Sequence, residues 1–214
     1  MMVRVGIIDS GINPDHPHVR HFMGGVFFHT EGESTDFVDR IGHGTAVAGV
    51  IHEKAPTAEL YAVRIFDRRL AANMDTLMRG LDWCLDHGMQ VVNLSIGTRN
   101  DQHRDRFEDF LRRAHADGVF VVSAANMLPG MLEGAIAVDS DADCDRETCR
   151  YQNGVFSASP FPRAIPGVPR ELNLHGISFA IANCTGLLVR VLESYAPSDA
   201  YREFLARAER ANAG

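Results

Sequence analysis

Three polar residues of the types that form a nucleophilic catalytic centre lie far apart in this chain. Asp9 follows the apolar run of residues 3–8, His43 stands between two glycines, and Ser178 opens a long apolar stretch. A serine hydroxyl is a weak nucleophile until an imidazole accepts its proton. That imidazole in turn needs a carboxylate to set its tautomer and stabilise its charged form. These residue types predict acyl transfer at Ser178, provided that the fold brings them together.

Each of these residues also has an ordinary structural interpretation. An aspartate after a strand commonly closes a turn, a histidine between glycines is often structural, and a serine before an apolar helix is usually an N-cap. Their joint occurrence on one predicted architecture favours a catalytic role over these structural ones.

Short β-branched runs alternate with segments of helical periodicity along most of the chain. Strands are predicted at residues 3–8, 60–65, 91–96, 119–124 and 135–138. Two helices are predicted between them, marked by apolar positions within residues 74–85 and 107–114 and closed by Gly88 and Gly118. Residues 129–170 read mainly as irregular loops with a hairpin, 179–192 as a buried helix and 199–211 as a terminal amphipathic helix.

This alternation predicts βαβ units and therefore one α/β domain over residues 1–214. We expect three layers, with a mostly parallel central sheet and helices on both faces. In such a sheet, function sits at the carboxyl ends of the strands. Asp9, Ser95 and Asn126 each fall at or just past such an end, so separate strands can bring them to one edge.

The segments around Asp9, His43 and Ser178, in this chain order, resemble those of the subtilisin-like serine peptidases. Residues 42–49 read Gly-His-Gly-Thr-Ala-Val-Ala-Gly and differ from the family pattern only at Ala46. The serine segment departs further, because Ala182 stands where the family has a proline. That change predicts a straighter helix with a restored backbone donor.

The resemblance implies a triad of Asp9, His43 and Ser178, with Asn126 helping to hold the oxyanion. It also implies that substrate lies along the ends of two strands, at Ser95, Ile96, Gly97, Ser123 and Ala124. The implied function is a serine endopeptidase of restricted substrate, such as one that matures a peptide or protein. Two alternatives stay open, namely peptide ligation with the same triad and a catalytically silent binding module.

An acidic stretch at residues 139–145 follows the last predicted strand and has two interpretations. If its carboxylates line the pocket for the residue before the scissile bond, they favour Lys or Arg there. If it is a solvated loop facing away, that pocket is apolar and built partly from Met127 and Leu128.

Composition excludes several classes of partner. The net charge of −7 argues against a nucleic-acid surface and an anionic-membrane surface, since both need clustered Lys and Arg. Neither a signal peptide nor a stretch of about 20 apolar residues is visible, so we expect a cytoplasmic protein without a membrane segment. The expected partner is a peptide or protein substrate.

No cofactor or metal is expected. The histidines show no HExxH-type spacing, and the short link of residues 49–59 predicts that a calcium-binding loop found in many relatives is deleted. Free thiols are the expectation for all cysteines in a reducing compartment, with a local Cys144–Cys149 bridge left open.

Overall fold

One nine-stranded sheet organises the chain, as seen in a computed structural model that describes residues 2–212. The elements in chain order are β1 (Arg4–Asp9), β2 (Phe22–His29), β3 (Gly32–Ser34), α1 (His43–Lys54), β4 (Glu59–Arg64), α2 (Met74–Asp86), β5 (Val91–Leu94), α3 (Arg104–Ala116), β6 (Phe120–Ala124), β7 (Ala135–Ser140), β8 (Cys149–Gln152), β9 (Val155–Ala158), α4 (Ile177–Leu192) and α5 (Pro197–Ala211).

The strand order across the sheet is β3-β2-β4-β1-β5-β6-β7-β9-β8. Every pairing is parallel except β2–β3 and β8–β9, which place one antiparallel strand at each edge. The prediction of a mostly parallel sheet is confirmed. Strand β1 lies between β4 and β5, where the strand order changes direction, and the carboxyl end at such a point is where ligands bind in α/β sheets.

Two apolar clusters cover the two faces of the sheet and confirm the three-layer prediction. Helices α1, α4 and α5 pack on one face, against side chains such as Val5, Ile7 and Val122. Helices α2 and α3 pack on the other face, against Ile8, Val63 and Val121. Burial of alternate residues on both faces explains why these strands read as continuous apolar runs.

Strands β2 and β3 are not predicted from the sequence, because two adjacent glycines interrupt the β2 pattern. The structure requires one of them for close packing, since a Cβ on Gly25 would lie 2.1 Å from the Ala62 carbonyl oxygen of β4. The predicted strand over residues 91–96 is too long: β5 ends at Leu94, and Ser95 and Ile96 leave the sheet. The hairpin expected within residues 129–170 is formed by β8 and β9.

All four cysteines are buried and unbridged, so the Cys144–Cys149 bridge is not formed. The Cys144 thiol donates instead to the Thr148 carbonyl at 3.5 Å. The neighbouring Cys184 thiol, together with burial, raises the pKa of Cys149 well above its ordinary value. Cys149 is therefore a protonated core group rather than a reactive thiolate.

The link between α1 and β4 is short in the structure as well, since residues 55–58 alone connect the two elements.

Within residues 2–212, no group of three or more His, Cys, Asp or Glu side chains is arranged to hold a metal ion. None of the helices in the same range combines the length and the apolarity needed to cross a membrane.

Candidate active site

Asp9 and His43 form a hydrogen-bonded pair at the carboxyl end of the sheet. Asp9 is the last residue of β1 and is fully buried, while His43 is the first residue of α1. The His43 Nδ1 atom donates to Asp9 Oδ1 at 2.7 Å, and the same oxygen accepts from the Ser10 backbone N–H at 2.7 Å. Because the carboxylate can only accept, the proton is held on Nδ1 and Nε2 is left as the basic nitrogen.

Glycines on either side of His43 serve different purposes. Gly42 precedes α1 with a φ of 91°, a left-handed conformation that a residue with a Cβ rarely adopts. Gly44 allows close packing instead, since a Cβ there would lie 2.2 Å from the Gly11 carbonyl oxygen and 3.2 Å from Asp9 Cβ. The Gly-His-Gly segment thus lets α1 begin directly against the turn after Asp9.

Asp39 is a supporting carboxylate that the sequence analysis did not identify. Its Oδ1 accepts from the Ser10 hydroxyl at 2.9 Å and from the backbone N–H groups of Ile41 and Gly42. Its Oδ2 accepts from the backbone N–H and the hydroxyl of Thr45, at 2.9 and 2.6 Å. Asp39 therefore ties the turn after β1 to the first turn of α1, the two segments that carry Asp9 and His43.

The charge state of Asp39 follows from these contacts. Burial alone would raise the pKa of its carboxyl, but the hydrogen bonds from Thr45, Gly42 and Ile41 outweigh burial and lower it. Asp39 is accordingly ionised, with both oxygens engaged. The sequence offers one signal for Asp39, an acidic residue shortly before the start of a helix. That signal is weak, because acidic residues are common at helix N-caps.

Ser178 lies in the first turn of α4, and the fold brings this turn to His43. Gly176 precedes the helix with a φ of 141°, and the ring of Phe179 packs 5.6 Å, centroid to centroid, from the imidazole of His43. Ser178 is half-buried, and within the described residues no hydrogen bond joins its hydroxyl to His43. Catalytic hydrogen bonds are often long without substrate and tighten when it binds.

The serine helix is continuous from Ile177 to Leu192, which includes Ala182. A buried polar contact joins this helix to β5, in which the Thr185 hydroxyl donates to Asn93 Oδ1 at 3.0 Å. The Asn93 amide in turn donates to the Ser95 hydroxyl at 3.1 Å. Ser95, a predicted substrate-binding residue, is thereby connected to the same helix as Ser178.

Asn126 and residues 95–97 lie at neighbouring strand ends. Asn126 is exposed just after β6, and its side chain has no hydrogen-bond partner within the described residues. Thr98 and Leu128 form an antiparallel bridge, with N–O distances of 3.2 and 2.9 Å, that ties together the segments following β5 and β6. The Asn126 amide is therefore free to donate to a bound group at the rim of the sheet.

The other predicted substrate-binding residues differ in exposure. Ser95, Ile96 and Gly97 are partly exposed, whereas Ser123 and Ala124 are buried within β6. The hydroxyl of Ser123 has no hydrogen-bond partner within the described residues. Contact between substrate and these two β6 residues remains a prediction.

The carboxylates of the acidic stretch at residues 139–145 differ in position, and each of its two interpretations, a pocket lining and a solvated loop, fits one of them. Asp139 is exposed near the end of β7, and the preceding Val138 carbonyl accepts from the Ala125 N–H at 2.8 Å, which places Asp139 close to the Asn126 turn. Asp141 is instead paired with Arg150 at 2.7 Å. Both interpretations remain predictions.

Comparison with known proteins identifies what the chain is similar to. A family model described as the subtilase family matches residues 2–149, a range that includes Asp9, His43 and Asn126 and ends before Ser178. The minor extracellular protease Epr of Bacillus subtilis (strain 168) is 33% identical over 132 residues, which is 58% of this chain and 20% of Epr. Subtilisin Savinase of Lederbergia lenta is 30% identical over 201 residues, covering 86% of this chain and 71% of Savinase.

Among solved structures, a cold adapted subtilisin-like serine proteinase shares the fold with a TM-score of 0.74. It is 19% identical in sequence, and the match covers 96% of this chain and 81% of that one. This chain thus spans only a fifth of the length of Epr but most of the solved fold.

Proposed function

Because the chain belongs to the subtilase family, we propose that it is a serine endopeptidase that hydrolyses peptide bonds through an acyl-enzyme on Ser178. The observation that carries the proposal is the Asp9–His43 pair. A fully buried carboxylate lies 2.7 Å from Nδ1 and leaves Nε2 basic, beside the helix start that carries Ser178. That arrangement is what a serine nucleophile needs from its base.

In the proposed reaction, His43 Nε2 takes the hydroxyl proton as Ser178 Oγ attacks the peptide carbonyl. The carbonyl oxygen becomes negatively charged and accepts from the Asn126 amide and from the free N–H groups at the start of α4. The C–N bond then breaks as His43 returns the proton to the leaving amine. Water then attacks the ester carbonyl in the same way, with His43 Nε2 taking its proton. The ester bond breaks as His43 returns the proton to Ser178 Oγ, which releases the acid and regenerates Ser178.

The tight folding of the connection between β6 and β7, residues 125–134, supports a restricted substrate. A Cβ on Gly130 would lie 2.1 Å from the Ala124 carbonyl oxygen, so the connection folds back tightly on β6. A Cβ on Gly97 would lie 2.8 Å from Met127 Cβ, so the segments after β5 and β6 also approach closely. We propose that this narrow rim selects the residue before the scissile bond.

Two measurements test the proposal. The first is labelling with a fluorophosphonate, followed by mapping of the modified residue. The second is the masses of the products formed from a peptide library. Label on Ser178 with hydrolysis products supports an endopeptidase. Label on Ser178 with joined peptides supports ligation instead. Absence of label and turnover supports a silent binding module and would overturn the proposal.

Replacing Asn126 should slow turnover while leaving the nucleophile reactive. Asn126→Ala removes a donor that acts only on the developing oxyanion, and loss of such a donor in subtilisin costs about 10²–10³-fold in kcat. We expect a loss of that order in kcat, with fluorophosphonate labelling of Ser178 retained. Asn100→Ala, in the loop after β5, is the matched control. An unchanged rate in Asn126→Ala would assign Asn126 to a turn role only.

The pH dependence of turnover should reflect the environment of His43. Burial lowers the pKa of the ring, but the hydrogen bond and charge of Asp9, with the charge of Asp39, outweigh burial and raise it above its ordinary value of 6.5. The neutral ring is the base, so kcat/KM should fall as the pH decreases through this raised pKa. We expect the acid limb of kcat/KM for a small ester to have a midpoint above 6.5. A midpoint below that value would contradict the geometry.

A further inference from the structure

A cavity of about 450 Å³ opens at the start of α1, beside His43, and the proposed reaction gives it no role. Gly42 and Ala46, on either side of His43 in sequence, form part of its wall, as do Asn13, four residues after Asp9, and Leu174, four residues before Ser178. The cavity therefore adjoins the segments that carry all three proposed catalytic residues.

The composition of the wall indicates which half of a substrate would enter the cavity. The wall includes neither Asn126 nor any of residues 95–97, which lie where the acyl half is expected to bind. His43 delivers its proton to the leaving amine, so the other half of the substrate departs past the imidazole. The cavity beside His43 is thus placed to receive residues that follow the scissile bond.

Arg163 provides the cavity with a cation whose N–H donors are not used in hydrogen bonds within residues 2–212. Its guanidinium makes no hydrogen bond to any residue in the described part of the chain, and its Nε lies 3.5 Å from Glu53 Oε1. Glu53 is shared with two other cations, since Arg146 donates to it in a close contact and Lys54 Nζ lies 3.3 Å from it. Arg163 therefore retains donors that can bind a planar anion in a bidentate manner.

His16 adds a further donor to the wall of the cavity. His16 Nδ1 accepts from the His18 backbone N–H at 3.3 Å, so the neutral His16 ring carries its proton on Nε2 and can donate. Asp39 is the single carboxylate among the described wall residues, and both of its oxygens are engaged by donors. The cavity thus has free donors and no free carboxylate to match them.

We infer that this cavity binds a carboxylate of the substrate on the leaving side of the scissile bond, with Arg163 as its main partner. The inference rests on the proposed function, because a leaving side exists only if Ser178 cleaves a peptide. The carboxylate has two possible sources, an Asp or Glu side chain and the C-terminal carboxylate of a short leaving peptide.

The test begins with a peptide library, in which mass spectrometry locates each bond cleaved by the full chain. Two series of fluorogenic peptides are then made, all with the same residues before the cleaved bond. The first series carries Glu or Gln at each position after the bond. The second ends in either a free C-terminal carboxylate or a C-terminal amide. We expect kcat/KM for one carboxylate form to exceed that of its amide by about 10–100-fold, the factor expected from hydrogen bonds to a charged group. The Glu/Gln and acid/amide pairs distinguish the two sources.

Variants assign the preference to the cavity. In Arg163→Gln the ratio of kcat/KM between the carboxylate peptide and its amide should fall to near unity, and Arg163→Lys should retain part of it. Arg146→Gln is the matched control, because Arg146 also pairs with Glu53 but does not line the cavity, and it should keep the full ratio.

The outcomes separate this inference from the proposed function. Turnover of a small ester and of peptides, with equal rates for carboxylate and amide forms, would overturn the inference and leave the peptidase intact. A carboxylate preference that survives Arg163→Gln would overturn the assignment to this cavity. Absence of ester turnover, peptide turnover and Ser178 labelling would overturn both.

Discussion

Ser178→Ala should reduce kcat by about 10⁶-fold, the size of loss that removal of the serine or the histidine causes in subtilisin. The hydroxyl is the proposed nucleophile, and no other group can form the acyl-enzyme in its place. His43→Ala should cause a similar loss, and the double variant should lose little more, because the two residues act as one unit. The measurement is kcat for a small ester and a peptide at saturating substrate.

The thermal unfolding of Ser178→Ala should be close to that of the parent chain. Ser178 is half-buried and its hydroxyl has no hydrogen-bond partner within the described residues, so its removal should change the free energy of unfolding by about 0.5 kcal/mol or less. Ser198→Ala, on the exposed first turn of α5, is the matched control and should keep full turnover. Parent-level turnover in Ser178→Ala would refute the assignment of the nucleophile.

Asp9→Asn should reduce kcat by about 10⁴-fold near neutral pH, the size of loss that the equivalent change causes in a serine protease triad. Asp9 Oδ1 accepts from both His43 and Ser10, whereas Oδ2 is buried without a partner. An amide that keeps its oxygen in the Oδ1 position must therefore bury an unpaired NH₂ group. An amide turned the other way offers His43 a donor and favours the wrong tautomer. In either orientation the charge that stabilises the imidazolium is lost.

The same variant should also shift the pH profile. Asp9 is the largest of the influences that raise the pKa of His43, so its neutralisation should lower that pKa and move the acid limb of kcat/KM to lower pH. Asp75→Asn, an exposed aspartate paired with Arg106 in the parent, controls for the loss of one negative charge. An Asp9→Asn profile with an unmoved acid limb and unchanged kcat would show that the Asp9–His43 contact is structural.

Much of the central sheet could be predicted from the sequence because burial leaves a local signal. Strands covered on both faces read as short apolar runs, and β1, β4, β5, β6 and β7 were found in this way. Strand β2 was missed because Gly24 and Gly25 interrupt its apolar pattern, whereas Gly25 is required by the approach of the Ala62 carbonyl oxygen. A close backbone contact between distant segments leaves no periodic pattern.

The amino-acid sequence alone determined which residues are candidates for the triad, Asp9, His43 and Ser178, since the chemical groups that such a site needs are visible as residue types. Tertiary structure decided that His43 Nδ1 meets Asp9 at 2.7 Å and that Asp39 holds the two segments together. It also decided that Arg163 faces a cavity beside His43. Hydrogen bonding and charge depend on distances of a few ångströms between residues remote in the chain, and only the folded packing of α1 and α4 on the sheet sets those distances.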